Sequence, residues 1–317
     1  MSKTVILITS TYNGEKYLPV LLDSILAQTY PALTLYVRDD GSIDNTVSIL
    51  KSYREKFLRT NGKRLLLLNE RDGDWENKGA HQSYRYLISQ LGIADYYIFC
   101  DQDDVWDARK VERAVLHMEQ YSPQIPVLYV HNYYVCDDNL KPEHTLPDRS
   151  SITPAEMEKV SLAKVIMTGT WGGVGMAQAF NHALKVLTFD SGAILPSIAV
   201  DCWISWVVAG MNGALVYDKE PLAYYRRHEG TYSSGDANGL ARYRDWKKHM
   251  TRHCNNIVNG IHAYKTLYFS KVSASRQYFL TLFDSSHHIK KFLYPHRLRN
   301  NLLDEFAFRI LLLIGKI

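Results

Sequence analysis

The chain has 317 residues, 46% hydrophobic and 22% charged, which is ordinary for a folded globular protein and long enough for one large α/β domain or a domain with appendages. Its formal charge of +4 hides an asymmetry, because residues 241–317 carry 14 Lys/Arg against four Asp/Glu and leave an acidic body before a basic tail. The four cysteines are scattered without a C-x-x-C pair, no run of about 20 apolar residues occurs, and "MSKTVILITS" has no signal-peptide architecture; a zinc site, a disulfide framework and a membrane span are excluded, and a cytoplasmic protein is expected.

In chain order, Val5–Thr9 is a β-branched apolar run that reads as a first strand, followed by the loop "STYNGEK". Leu18, Leu21, Leu22 and Ile25 then recur at helical spacing within residues 17–28. Leu33–Arg38 is a second strand ending in "DDGS", and Asp44 suits the N-cap of a helix to Leu58. Leu65–Leu68 is a third strand, "NERDGDWENKG" a polar loop, and Ala80–Leu91 a helix. Tyr96–Cys100 is a fourth strand that runs into "DQDDVWD", with Asp107 placed to cap a helix to Gln120 and a further strand over Val127–Cys136. Residues 137–240 are less regular, with a helix near Pro154–Ile166, the glycine-rich "TGTWGGVGMA", an apolar helix after Asp201, and "YYRRHEGTYSSGD". "SSGDANG" at 233–239 reads as a hinge before the tail.

Near-continuous apolar strands alternating with helices predict a mostly parallel sheet covered on both faces. Ligands of such sheets bind outside the carboxyl ends of the strands. The loops "TYNGE", "RDDGS" and "DQDD" all fall on that rim. Four aspartates within residues 101–107, directly after a buried strand, call for a positive partner, and Asp-x-Asp with room for water suits Mg²⁺ or Mn²⁺ held together with substrate phosphates. The bland reading, a solvated acidic turn capping a helix, leaves the other two rim loops unexplained. "DQDDVWDARKVE" lacks the central glycine of an EF-hand, the first loop has a single Gly14 where a dinucleotide fingerprint needs three, and no Walker A lysine motif is present.

Together and in this order, "ITSTYNGEKYLPVLLDSILAQTY", "RDDGSIDNT", "CDQDDVW" and "YYRRHEGTYS" resemble the family 2 glycosyltransferases of GT-A fold, and more narrowly bacterial rhamnosyltransferase-type enzymes of cell-surface polysaccharide synthesis. The resemblance covers residues 3 to about 235. It implies a Rossmann-like nucleotide-sugar half over about 1–136, an acceptor and catalytic half over about 137–240, and a helical basic tail over 241–317. By the same resemblance Thr9, Tyr12 and Glu15 line the base and ribose pocket, Asp39 accepts from the base, and Asp40 supports that loop. Asn77 and Gly79 supply donor-side backbone, Asp101 lies near the ribose or the metal waters, Asp103 binds the metal, and His228 reaches metal and diphosphate. Asp201 matches the catalytic aspartate at a helix start, although Val200 replaces the Glu or His that many relatives carry before it. Trp171, among the glycines with Gly169, is the acceptor-side stacking platform.

Breaking the anomeric C–O bond of a nucleotide-sugar leaves negative charge on the departing phosphate, which a divalent cation and Arg226 or Arg227 would offset. The acceptor hydroxyl needs a carboxylate base on the opposite ring face, and single displacement inverts the anomeric centre. The expected donor is dTDP-L-rhamnose, with UDP-linked galactose, galactofuranose, glucose or N-acetylglucosamine as alternatives, and the expected acceptor is a lipid-linked glycan. In the tail, Leu303, Phe306, Ile310 and Leu313 form an apolar stripe among Lys/Arg, suited to the inner membrane surface rather than to nucleic acid, with packing on the catalytic domain or on a second subunit as the alternative. Two rivals explain less. A sugar nucleotidyltransferase needs a glycine-rich basic loop after the first strand, and a receiver-like Mg²⁺ module needs only about 120 residues and leaves the later motifs without a purpose.

Overall fold

A computed structural model describes residues 2–146, 149–168, 174–190, 198–228, 255–283, 288–296, 298 and 302–315. Nine strands form one sheet in the order β3-β2-β1-β4-β8-β6-β9-β5, with β7 attached to β6. The first half is parallel, as the apolar runs predict: β1 (Val5–Thr11) lies between β2 (Leu33–Asp39) and β4 (Tyr96–Phe99), and β3 (Lys63–Leu67) extends the edge. All but one residue of β1 and all of β4 are buried, which a parallel strand covered on both faces requires. Helix α1 (Leu18–Leu26) buries Leu18, Leu21, Leu22 and Ile25, the four positions its spacing singles out.

The second half makes the sheet mixed. β8 (Gln178–Asn181) runs antiparallel to both β4 and β6 (Val127–Cys136), and β9 (Ala214–Arg226) is parallel to β6. Two antiparallel steps cancel, so β6 and β9 point the same way as β1, β2 and β4. Their carboxyl ends, at Cys136 and Arg226, therefore reach the same rim as Thr11, Asp39 and Phe99. β7 (Pro142–Thr145) and the two-residue β5 (Val105–Trp106) add antiparallel to β6 and β9.

Several boundaries differ from the sequence expectation. α2 starts at Thr46, with Asp44 accepting the Thr46 N–H at 2.9 Å, and runs to Arg59. The polar stretch after β3 holds a single helical turn, α3 (Leu68–Asp72), stopped by Gly73 at φ +71°. A turn this short has no apolar period to reveal it. α4 covers Ala80–Ser89, and α5 covers Lys110–Met118, with the Asp107 carboxylate one turn earlier accepting from Arg109 N–H. The helix expected near Pro154–Ile166 is two: α6 (Pro154–Met157), closed by a Thr153/Glu156 capping box, and α7 (Leu162–Thr168). α8 (His182–Phe189) and α9 (Val200–Gly210) complete the body.

The tail does not stand apart. Helical residues 255–268 (α10) bury Tyr264 and Tyr268 against Trp203 of α9, and the Tyr268 hydroxyl donates to Leu187 O at 2.8 Å. From α11 (Ala274–Thr281), the buried Arg276 donates to Gly210 O at 2.9 Å, Asn212 Oδ1 at 2.7 Å and Met157 O at 2.8 Å. α12 (His288–Phe292) and α13 (Leu302–Leu313) follow. At Gly210 a Cβ would fall 1.6 Å from the hydroxyl oxygen of the fully buried Tyr264. Gly210→Ala is therefore expected to lower the melting temperature: overpacking costs about 1–3 kcal/mol, more than the ~1 kcal/mol that alanine gains over glycine in a helix. An unchanged or raised melting temperature would show that α10 is not seated on α9 in this way.

Candidate active site

Five segments meet on the shared rim, and each is fixed by contacts to another. After β1, Gln102 of "DQDD" accepts from Tyr12 N–H at 2.8 Å and donates back to Tyr12 O at 3.0 Å. A side chain at Gly14 would collide with the same Gln102, at 2.6 Å. Gln102 thus staples the first loop to the acidic loop, a role that a glutamine between aspartates does not announce in sequence.

The "RDD" segment after β2 is organised around buried charge. Arg38 and Asp40 form an ion pair with side chains 1% and 3% exposed, and Arg38 also donates to Glu76 O at 2.7 Å and Ser83 Oγ at 3.0 Å. Asp40 in turn accepts the N–H groups of Lys78 at 2.9 Å and Gly79 at 2.8 Å. Asp40 thus braces the exposed "ENKG" turn that contains Asn77. Removing one partner of such a buried pair costs about 3–5 kcal/mol, so Arg38 and Asp40 depend on each other. Asn69 adds a second brace, accepting from Asp39 N–H at 2.7 Å and donating to Asp39 O at 2.7 Å and Asp74 O at 2.6 Å.

Three of the expected pocket residues sit elsewhere than in an open pocket. Asp39 is fully buried, and its carboxylate accepts from Thr11 Oγ1 at 2.9 Å, Ser42 Oγ at 2.6 Å and Ser42 N–H at 2.8 Å, so it shapes the loop from within. Thr9 is also fully buried, because β1 is a central strand covered on both faces. Glu15 faces α2, accepting from Asn45 N–H at 3.0 Å and Asn45 Nδ2 at 2.8 Å. Tyr12, 48% exposed, offers an aromatic face at the surface, and Glu15 beside it is exposed as well.

The acidic loop carries the strongest electrostatics. Tyr84 of α4 donates to Cys100 O at 2.7 Å and to Asp101 Oδ1 at 2.9 Å, which orients Asp101. Loss of water, with the adjacent Asp103 charge and then that of Asp201, pushes Asp101 up to about 7. Asp104 is fully buried, one oxygen accepting from Arg226 N–H at 3.2 Å and the other without a partner among the described residues. Burial, then Asp103 and Asp101, push it well above the usual carboxylate range. Beneath them lies Lys110, buried, donating to Met176 O at 2.7 Å and packed 3.6 Å over the Trp106 ring; burial pulls its ammonium down to about 7.

Pairing of Val105 with Tyr224 and of Trp106 with Ala223 lays the acidic loop along the end of β9. Asp103 Oδ2 and His228 Nε2, 125 positions apart, come to 2.9 Å, each about one-sixth exposed. Arg226 holds that approach: it is 5% exposed, its Nε donates to Asp103 O at 2.9 Å, and a second nitrogen donates to Asp138 O. Arg226 therefore fastens the rim, while Arg227, half-buried and anchored through its N–H to Cys136 O at 2.9 Å, makes no side-chain hydrogen bond or ion pair among the described residues. Asp201 lies in the first turn of α9, where Ala199 and not Asp201 is the N-cap. Its carboxylate accepts from Cys202 N–H at 2.8 Å and rests beside Gly175, and burial raises its proton affinity. Gly169 and Trp171, the expected acceptor residues, lie outside the described residues.

The residues fit a divalent cation. A carboxylate oxygen and an imidazole nitrogen touch at the rim, and two neighbouring carboxyls are pushed toward protonation by burial and by the adjacent Asp103 charge. Among the described residues no group of three His, Cys, Asp or Glu forms a complete cage. Such a site leaves positions for phosphate oxygens and water, as Mg²⁺-type ions prefer.

The fold and this rim define an α/β domain whose polar loops gather at the carboxyl ends of its strands. Residues 6–184 match the family model described as glycosyl transferase family 2, more than half of the chain, and the chain belongs to that family. It is 28% identical to an uncharacterized glycosyltransferase of Nostoc sp. over 224 residues, 70% of this chain and 64% of the relative. It is 26% identical to the glycosyltransferase GlyA of Streptococcus pneumoniae, over 72% of this chain and 31% of GlyA, and so spans less than two thirds of either relative's length. The dTDP-rhamnosyl transferase RfbG of Shigella flexneri is 29% identical over 261 residues, 79% of this chain and 84% of RfbG. In fold, the structure resembles S. aureus TarS 1–349 in complex with UDP-GlcNAc, with a TM-score of 0.54 and 14% identity over 99% of this chain and 90% of that one.

Because Asp101 has a folded pKa near 7 against an ordinary 3.8, the stability it contributes is full below pH 4 and is lost as pH rises through 7. Metal-free protein is accordingly expected to melt at a lower temperature at pH 8 than at pH 5, with the difference reduced in Asp101→Asn and by millimolar Mn²⁺. An equal pH slope in wild type and Asp101→Asn would remove Asp101 as its source.

Proposed function

We propose that the protein is an inverting, metal-dependent glycosyltransferase that moves L-rhamnose from dTDP-rhamnose to a lipid-linked glycan. The observation that carries the reading is the contact of Asp103 with His228, facing the Asp101 and Asp201 carboxylates on the rim. Asp103 and His228 would hold the cation, which when bound offsets charge on the diphosphate leaving group. An imidazole beside a carboxylate suits Mn²⁺ better than Mg²⁺, which favours oxygen alone. Tyr12 and the Asn77–Gly79 turn would bound the nucleotide, with Asp39 and Asp40 shaping that pocket from behind. Arg227 is the guanidinium positioned to meet phosphate, since Arg226 is committed to backbone carbonyls. Asp201 would take the acceptor proton as the hydroxyl attacks. Burial raises its basicity, and general-base assistance is worth about 10²–10⁴-fold. The similarity to RfbG favours a dTDP-rhamnose donor over UDP-linked sugars.

The test is nucleoside diphosphate release by purified protein with Mn²⁺ from a panel of dTDP-, UDP- and GDP-sugars, with and without a lipid-linked acceptor. Release from dTDP-rhamnose, abolished in Asp103→Asn and lowered about 10²–10⁴-fold in Asp201→Asn, is the expected result. Turnover of a UDP-sugar instead would move the donor assignment, and full activity of Asp201→Asn would remove it as base.

For the acceptor side, the reading places the protein at the inner membrane surface through α13. Phe308, Leu311 and Leu312 of that helix are buried, whereas Leu302, Phe306, Ile310, Leu313 and Ile314 are exposed. At 100° per residue these five fall on one face, away from the buried three. The Leu303 side chain lies outside the described residues. No helix among the described residues is long and apolar enough to cross a membrane. An exposed apolar stripe within a strongly basic tail suits an anionic lipid interface. Phe306→Asp is expected to reduce co-sedimentation with anionic vesicles while leaving donor hydrolysis unchanged. A concentration-dependent dimer that the same substitution dissolves would assign the stripe to a second copy instead.

A further inference from the structure

Tyr17 precedes α1 and belongs to none of the groups assigned above to donor, metal or acceptor. Its ring nevertheless packs against the candidate metal ligand. The Tyr17 and His228 ring centres are 4.6 Å apart, with 37° between their planes. The guanidinium carbon of Arg226 lies 4.7 Å from the same Tyr17 ring centre, and Lys16 Nζ lies 4.7 Å from it. The hydroxyl end is pinned as well, donating to Asp138 Oδ1, while the other oxygen of Asp138 accepts from Lys16 Nζ at 2.7 Å. The backbone carbonyl of Asp138 accepts from Arg226. One aspartate in the turn after β6 therefore fixes both Tyr17 and the arginine that fastens Asp103.

We propose that Tyr17, locked by Asp138, is the positioning residue that sets the plane of the His228 imidazole for divalent-cation binding with Asp103. An imidazole binds a metal only along the lone pair in its ring plane, so a ring free to rotate about χ2 loses entropy on binding. A fixed aromatic face removes that rotation before the ion arrives. Partners that orient a ligand in this way are worth about 10–100-fold in metal affinity. Ring packing supplies the orientation and the hydroxyl supplies the pin, so the two parts separate by substitution. The inference rests on the metal reading of Asp103 and His228.

The experiment is titration of the full chain with Mn²⁺ alone, followed by electron paramagnetic resonance of the free ion, together with the nitrogen hyperfine coupling of histidine-bound Mn²⁺. His228→Ala and Asp103→Asn test the underlying site and are expected to abolish binding. Tyr17→Leu is expected to raise the Mn²⁺ Kd about 10–100-fold and to weaken the nitrogen coupling. Tyr17→Phe and Asp138→Ala, which keep the aromatic face and lose the pin, are expected to fall between it and wild type. Folded Tyr17→Leu with wild-type affinity and coupling, while His228→Ala has lost both, would overturn the positioning role and leave the metal site standing. Should Tyr17→Leu fail to fold, wild-type affinity in both Tyr17→Phe and Asp138→Ala would overturn it equally. Retention of Mn²⁺ by His228→Ala and Asp103→Asn would remove the site itself, and this inference with it.

Discussion

The rim depends on Arg226. Its guanidinium, withdrawn from solvent, satisfies the carbonyl of Asp103 on one side and that of Asp138 on the other, while its own N–H is received by Asp104. These contacts draw together the loop after β4, the turn after β6 and the end of β9. Asp103 raises the proton affinity of both Asp101 and Asp104, and the buried Lys110 beneath them works against that rise. Buried positive charge close to acidic backbone and side chains is what permits a carboxylate cluster to exist before any metal arrives. The two-residue strand β5 is the mechanical counterpart, since its pairing with β9 fixes the register that sets Asp103 opposite His228.

The same logic recurs on the nucleotide side with a different pair. Arg38 and Asp40 sit out of water under the "ENKG" turn, and Asp40 spends its remaining capacity on two backbone N–H groups of that turn. Asp39 is likewise consumed by its own loop. Both rim halves therefore place their ionised groups in supporting positions and leave few side chains facing the cleft. Such a plan costs desolvation in the body of the protein and yields a surface that is already shaped when a ligand binds.

The tail combines high positive charge with packing on the body. Residues 241–317 carry fourteen Lys/Arg against four Asp/Glu. Yet Arg276 is spent inside the body on three oxygens, and Tyr264 and Tyr268 complete the core around Trp203. The outer face of α13 keeps an exposed apolar stripe, of Leu302, Phe306, Ile310 and Leu313.

Much of this was legible from local pattern. The β-branched runs of the first half, the helical spacing of Leu18, Leu21, Leu22 and Ile25, and the clustering of aspartates after strands require no knowledge of distant contacts, because strand and helix periodicity and the parallel-sheet rule act over short stretches. The family resemblance pointed further, to Asp103 with His228. What sequence could not supply was set by long-range register. That Thr9 is buried, that Asp39 is taken up by its own loop, that Gln102 staples Tyr12, and that Arg226 fastens Asp103 to the turn after β6 all follow from which strand lies beside which. Residue types fix which chemistry is available; the pairing of β5 with β9 and the two reversals at β8 decide which of those groups meet, because hydrogen-bond register across a sheet is a property of partners remote in the chain.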